Sequence, residues 1–234
     1  MSNHILCTIC ARKGSKGIKG KNLRIVRGKP LIYHTIKQAL KSNLFNKVVI
    51  STDSKKIKKL AIKYGAEGWF LRPKKLSSSY ASKLDVVRHC LKETEKKFNS
   101  RFDVIIDLDV TSPLRKISDI KKSLKLFYKQ KASNLVSATI SRKNPYFNIV
   151  EFNKKRGLGV KTSKKLTHPI LRRQSAPITY DLNASIYIWR RIHLLTRKRL
   201  LNKNTALFVM PPERSIDIDD DFDLQIVERL KNEN

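Results

Sequence analysis

The sequence predicts an α/β domain built on a mainly parallel, doubly wound sheet, and three observations lead there. Short apolar runs alternate with amphipathic stretches along most of the 234 residues. The apolar runs are continuous, as in strands covered on both faces, whereas the stretches between them carry helical spacing such as Ile32, Ile36, Ala39 and Leu40. The first apolar run feeds directly into a glycine-rich loop, and sheets of this kind bind ligands outside the carboxyl ends of their strands.

Taken in order, a strand is expected over Ile5–Ala11, a helix over Leu31–Ser42 and a strand over Val48–Ser51. A helix over Ser54–Tyr64 follows from the stripe Ile57, Leu60, Ala61 and Tyr64 flanked by lysines, and another is expected over Ala81–Phe98. Val104–Val110 reads as a strand, Ile117–Tyr128 as a helix on the stripe Ile117, Ile120, Leu124 and Phe127, and Leu135–Ile140 as a strand. From about Ser141 to Tyr180 the rhythm breaks, with Pro145, Pro169, Pro177, two glycines and short β-prone pieces. This stretch reads as an inserted β-rich arm, either pairing two subunits or running over the sheet. Strands at Ala184–Trp189 and Ala206–Met210 and a helix over Phe222–Leu230 complete one domain spanning residues 1–234.

With 51 Lys/Arg against 19 Asp/Glu the formal charge is +32, which first suggests nucleic acid or an anionic membrane. The excess is spread over solvated helix faces, and aromatic residues do not interleave with the basic clusters as stacking platforms do, so specific nucleic-acid binding is not expected. Three cysteines and the lack of a long apolar run or leader suggest a soluble, cytoplasmic protein that does not associate with a membrane. Cys7 and Cys10 form a CxxC on an expected strand, where their thiols should diverge rather than share a metal or a disulfide.

The densest chemical signal lies between Arg12 and Lys29. It holds eight Lys/Arg, four of the eight glycines and no carboxylate; the first acidic residue of the chain is Asp53. Gly14, Gly17 and Gly20 permit positive φ and close backbone approach, so the loop reads as a cradle for a polyanion such as a triphosphate. It fits neither GxxxxGK[ST] nor GxGxxG. A complementary signal lies near the other end, where seven carboxylates fall between Glu213 and Glu228. In Ser-Ile-Asp-Ile-Asp, Asp217 and Asp219 alternate with isoleucines; on a strand they share a face and could hold one Mg²⁺, while Asp220, Asp221 and Asp223 cap the last helix. Thr111-Ser112-Pro113-Leu114-Arg115 offers hydroxyls and a cation after a strand, and Arg172-Arg173-Gln174 could pair with a substrate carboxylate.

The motifs ARKGSKGIKGKN, Arg72-Pro73, DVTSPLR, RRQSAP, NASIYIW and SIDID occur in the order and approximate spacing of the CMP-sialic acid synthetases, the acylneuraminate cytidylyltransferases, and the chain resembles that family along essentially its whole length. The resemblance implies a Rossmann-like nucleotidyltransferase fold that dimerises through its inserted arm. It implies joining of CTP to a nine-carbon 2-keto sugar acid, a nonulosonic acid, with release of pyrophosphate. On the matching positions, Arg12, Ser15, Lys16 and Lys21 would hold phosphates, and Asn22, Arg72 and Ser82 would surround the cytidine. Arg173, Asn183 and Tyr187 would contact the sugar, and Asp217 and Asp219 would bind Mg²⁺. Arg12, Lys21 and Asp217 are the catalytic candidates. One position departs from the pattern, since Asp109 stands where the sialic acid enzymes usually carry glutamine. A carboxylate only accepts hydrogen bonds, so Asp109 would favour a sugar with an extra donor, as in the branch acting on legionaminic acid; N-acetylneuraminate is the alternative, and a shorter keto-deoxy sugar acid a further one.

Overall fold

The computed structural model describes residues 4–14, 17–152, 159–168, 170 and 172–230. The elements in order are β1 (Ile5–Cys10), β2 (Ile25–Val26), β3 (Lys29–Pro30), α1 (Leu31–Ser42), β4 (Lys47–Ser51), α2 (Lys55–Lys63), α3 (Lys83–Phe98), β5 (Val104–Leu108), α4 (Ile117–Lys129), β6 (Asn134–Ile140), β7 (Val150–Phe152), β8 (Val160–Thr162), β9 (Tyr180–Arg190), α5 (Arg191–Thr196), β10 (Thr205–Val209) and α6 (Asp221–Arg229). The central sheet has the order β10-β6-β9-β5-β1-β4. β4, β1 and β5 run parallel, β6 and β10 run parallel to each other, and β9 pairs antiparallel with both β5 and β6. The mixed α/β architecture is therefore as expected, except that the apolar run over Ala184–Trp189 lies antiparallel in the middle of the sheet. Continuous apolarity reports burial on two faces, and an interior antiparallel strand meets that condition as well as a parallel one.

Two cores cover the two faces. Ile5, Cys7 and Ile9 of β1 pack with Leu31 and Ile36 of α1, Ile57 of α2, Ile120 of α4 and Val227 of α6. Leu6 of the same strand packs with Val87, Cys90 and Leu91 of α3 and Leu194 of α5. This odd and even alternation also separates the CxxC thiols: Cys7 sits in the first core and Cys10 packs against the second. All three cysteines are free thiols.

β9 is longer than expected. Its first residues Tyr180–Leu182 pair with Ile140, Thr139 and Ala138 of β6, and a register irregularity near Val136/Ala138 separates this outer stretch from the inner one. The inserted stretch thus leaves and re-enters through one antiparallel pair, with β7 and β8 forming a small ladder of their own. Val150, Phe152, Val160 and Ile178 on it are exposed.

Candidate active site

The loop after β1, the acidic segment before α6 and the turn after β5 converge on one cleft of about 410 Å³ at the carboxyl ends of β1, β4 and β5. Arg12, Lys21, Asn22, Arg72, Asp109, Asp217 and Asp219 all line it. Local bonds hold the cationic loop in place. The Lys13 N–H donates to Asp53 Oδ1 at 2.7 Å, tying the loop to the end of β4, and Asn22, itself buried, donates from Nδ2 to the Arg12 carbonyl at 2.9 Å. Gly20 adopts a left-handed φ of 67° and opens the short turn Lys21–Leu23. Gly17 serves close approach instead of positive φ, because a Cβ there would meet the Asp219 carbonyl oxygen at 2.0 Å. Gly17→Ala should therefore push the loop and the acidic segment apart, lowering stability by about 1–3 kcal/mol. Catalytic efficiency should fall with it, and wild-type urea unfolding together with wild-type kcat/KM would refute the contact.

The Ser215–Asp219 segment is not a strand. It pairs with no strand among the described residues, and the Ile218 N–H donates instead to the Thr111 carbonyl at 3.0 Å. The alternation survives without the ladder. Ile218 is buried in the main core, and the aspartates on either side of it face the cleft. Lys21 bridges the loop to this segment, donating from Nζ to the Ile218 carbonyl at 2.6 Å and to Asp219 Oδ1 at 3.0 Å. As expected, Asp220 caps α6, accepting from the Asp223 N–H at 2.9 Å, while Asp223 returns a bond to the Asp220 N–H.

Asp217 is the more desolvated member of the pair. Its Oδ1 is buried without a hydrogen-bond partner, and burial, followed by the neighbouring charge of Asp109, pushes its carboxyl up to about 6 against the pull of Thr111. Asp109 goes the other way. Burial would raise it, but the Lys83 ammonium at 2.7 Å from Oδ2, together with the Thr111 N–H and hydroxyl on Oδ1, holds its carboxyl below the usual range. Lys83 Nζ also reaches Asp107 Oδ2 at 3.0 Å and lies 4.6 Å from the centre of the Tyr187 ring. Burial alone would lower the Lys83 ammonium, but the Asp107 and Asp109 charges more than reverse it and hold it well above the ordinary lysine value.

Residues 6–231 match the family profile described as Cytidylyltransferase. The chain belongs to the cytidylyltransferase family. It is 46% identical over 226 residues to the CMP-N,N'-diacetyllegionaminic acid synthase of Campylobacter jejuni, covering 97% of this chain and 94% of that protein. It is 44% identical over 231 residues to the post-translational flagellin modification protein B of Campylobacter coli, covering 99% and 96%. Among solved structures, a CMP:2-keto-3-deoxy-manno-octonic acid synthetase complexed with CTP superposes with a TM-score of 0.69 at 19% identity, over 98% of this chain and 99% of that one. That likeness establishes the shared fold, and the sequence relatives establish a nucleotidyltransferase.

Several residues anticipated in this cytidylyltransferase's site are not among those lining the cleft. Ser82 is used as the N-cap of α3, accepting from the Asp85 N–H at 3.1 Å and donating to Asp85 Oδ2 at 2.7 Å, while Ala81 and Lys83 on either side of it line the cleft. Ser82→Ala should cost about 1 kcal/mol of stability. An unchanged KM for CTP would accompany it, and a raised KM would restore Ser82 to the nucleotide site. Asn183 is buried and already satisfied: Ser137 Oγ donates to its Oδ1 at 2.7 Å and its Nδ2 donates to Ser215 Oγ at 3.0 Å. Its bonding couples β9 to β6 and to the acidic segment. Tyr187 is also buried, stacked on Trp189 beneath Lys83. Arg173 is exposed on the arm, donates to the Arg142 carbonyl at 2.8 Å and is not among the cleft-lining residues. Ser15 and Lys16 lie outside the described residues.

Arg115 corrects a further expectation. Instead of offering its cation to the cleft, it is 2% exposed and donates to the Asp109 and Ser185 carbonyls and to Thr35 Oγ1 and Gln38 Oε1, locking the turn to α1 and β9. Lys83 is the functional candidate that the sequence reading passed over, since it lay among many lysines in an expected helix. The available signal was its i, i+1 relation to a Ser cap, which puts it in the first turn of α3, facing the strand ends.

The carboxylates of this cytidylyltransferase fit a hard divalent cation. Asp217 presents a buried oxygen that no protein group meets, and Asp219 lines the same wall. No cluster of three or more metal-ligating side chains occurs among the described residues. Two carboxylates leave the remaining positions to phosphate oxygens and water, which is the habit of Mg²⁺ at triphosphate sites.

Proposed function

We propose that this cytidylyltransferase joins CTP to a nine-carbon 2-keto sugar acid, N,N'-diacetyllegionaminate before N-acetylneuraminate, giving the CMP-sugar and pyrophosphate. The observation that carries the reading is the convergence of the cationic loop, the Asp217/Asp219 pair and Asp109 in one cleft. The similarity to a CMP-N,N'-diacetyllegionaminic acid synthase over nearly the full chain supports the choice of sugar.

In this reading Asn22 and Arg72 hold the nucleoside end, and Arg12 and Lys21 neutralise the phosphates, Lys21 anchored by its bonds to the acidic segment. The anomeric 2-hydroxyl attacks the α-phosphorus in line; the new O–P bond forms as the bond to pyrophosphate breaks, and the hydroxyl proton passes to Asp217. Asp217 and Asp219 would hold Mg²⁺, which when bound would supply charge withdrawal from the α-phosphate and the leaving group. Positioning and countercharge, held in advance by the loop bonds, do most of the work. The exposed apolar residues of the arm fit pairing with a second copy, making the working enzyme a homodimer. No described helix is long and apolar enough to cross a membrane, and we place the enzyme in the cytoplasm.

The experiment is pyrophosphate release from CTP with a panel of sugar acids. Legionaminate should give the higher kcat/KM, and Asp109→Gln should narrow the preference by roughly ten- to a hundred-fold, the effect of one hydrogen bond to a charged group. Ionisation of Asp109, which this requires, follows from the Lys83 contact. Equal efficiencies on the two sugars, or a preference unmoved in the variant, would end the legionaminate reading; no release with any sugar acid would end the wider one.

A further inference from the structure

A second cavity opens between α1, the turn joining β2 to β3 and the Pro113–Lys116 turn. At about 570 Å³ it is larger than the active cleft, and the two share no lining residue. Six cations line it, Arg27, Lys37, Lys41, Arg115, Lys116 and Arg214, against the single carboxylate of Glu213. Arg214 already consumes the local negative charge, bonding Asp119 at 2.9 and 3.0 Å and Glu213 at 3.2 Å.

Two of these cations are costly where they stand, Arg115 through its burial and the half-buried Arg27 through its backbone and an unpartnered nitrogen. Arg115 is almost wholly buried, forms no ion pair among the described residues, and its Nε–H finds no acceptor. Burial pushes its guanidinium down to about 10. Arg27 occupies the two-residue turn between β2 and β3 with a left-handed φ of 57°, a place where asparagine or glycine is the usual residue. It donates to the Val227 carbonyl at 2.8 Å, yet its Nε–H is also buried without a partner. A buried cation without a countercharge is destabilising, and an anion in the adjoining cavity relieves that cost. The other wall is apolar and aromatic: Leu114 and Ile117 lie beside Tyr33, whose ring has Lys37 Nζ 5.8 Å from its centre.

We propose that this cavity is a second anion site that takes a small phosphate ester, its phosphate among Arg27, Lys37 and Lys41 and its apolar or aromatic part against Tyr33 and Leu114. Arg115 links the site to the active cleft, because the guanidinium that lines the cavity also donates to the Asp109 carbonyl at 3.3 Å.

Calorimetric titration of the full chain with CMP as the probe tests the proposal. Two binding events are expected. Lys37→Glu/Lys41→Glu should weaken one of them by roughly a hundredfold, from about tenfold or more per charge-assisted contact, and Lys21→Ala should weaken only the other. Lys37 and Lys41 project from the surface of α1, so the doubly substituted chain should fold and keep its event at the active cleft. Inorganic phosphate should bind the second site at least tenfold more weakly than CMP, for want of a part that rests on Tyr33. A single event in the wild type, or equal loss in the control Lys55→Glu/Lys125→Glu, whose lysines lie on other exposed helix faces, would overturn the site. Equal affinity for phosphate and CMP there would overturn the assignment to an ester.

Discussion

Asp217→Asn should lower turnover by roughly a hundredfold or more while making the metal-free protein more stable. The first effect follows if Asp217 serves, as proposed, as a metal ligand and proton acceptor, roles whose loss typically costs two or more orders of magnitude. The second follows from burial. The Asp217 carboxyl stands at about 6 in the folded protein against an ordinary 3.8, so its ionisation at pH 7 opposes folding by about 2–3 kcal/mol. The sign fixes the pH window. Between about pH 4 and 6 the folded chain holds a proton that the unfolded chain has lost, so stability falls as pH rises through that window and the penalty is complete above it. Asparagine removes the penalty. Urea unfolding in EDTA at pH 7 should show the variant ahead, and added Mg²⁺ should close the gap by stabilising the wild type. A variant no more stable than the wild type in EDTA, or one with full turnover, would refute the role given to Asp217.

Lys83→Met should destabilise the fold by about 3 kcal/mol, toward the lower end of what breaking a buried pair costs. Asp107 is fully buried, and after the substitution it would keep the Thr8 hydroxyl at 2.7 Å but no cation. Activity should fall as well, and in a pH-dependent way. Lys83 is the chief group holding the Asp109 carboxyl down, so without it Asp109 protonates at higher pH and the acid limb of kcat/KM should move upward. A stability contribution from a depressed carboxyl is present above its ordinary value and lost as pH falls through the folded one, so the wild type should also lose part of its lead over the variant in acid. Lys83→Arg keeps the charge and should restore most of the pH profile. If Lys83→Met unfolded at wild-type urea concentrations and kept the acid limb in place, the bridge to Asp107 and Asp109 would carry no weight.

What the sequence determined by itself was the alternation of elements and the chemistry of the cleft walls. Apolar runs and helical stripes are local patterns, so α1 starts and stops at Leu31 and Ser42 as read, and each remaining regular element of the central sheet falls within a few residues of its expected place. Arg12, Lys21, Asn22, Arg72, Asp109, Asp217 and Asp219 were legible because charge and glycine cluster so unevenly along this chain, and because the motifs stand in a known order. Contacts between distant residues were decided only by the tertiary structure. That β9 runs antiparallel could not be read beforehand, because chain direction leaves no mark in a run of buried apolar side chains. Ser82, Asn183 and Arg115 carry polar groups that suit a ligand, and each was taken instead by a helix end, a neighbouring strand or a turn, since a buried polar group is satisfied by whichever partner the fold brings to it. Lys83 shows the converse: it is one lysine among many in the sequence, and it became the centre of the acidic wall because the first turn of α3 places its ammonium between two carboxylates at the end of β5.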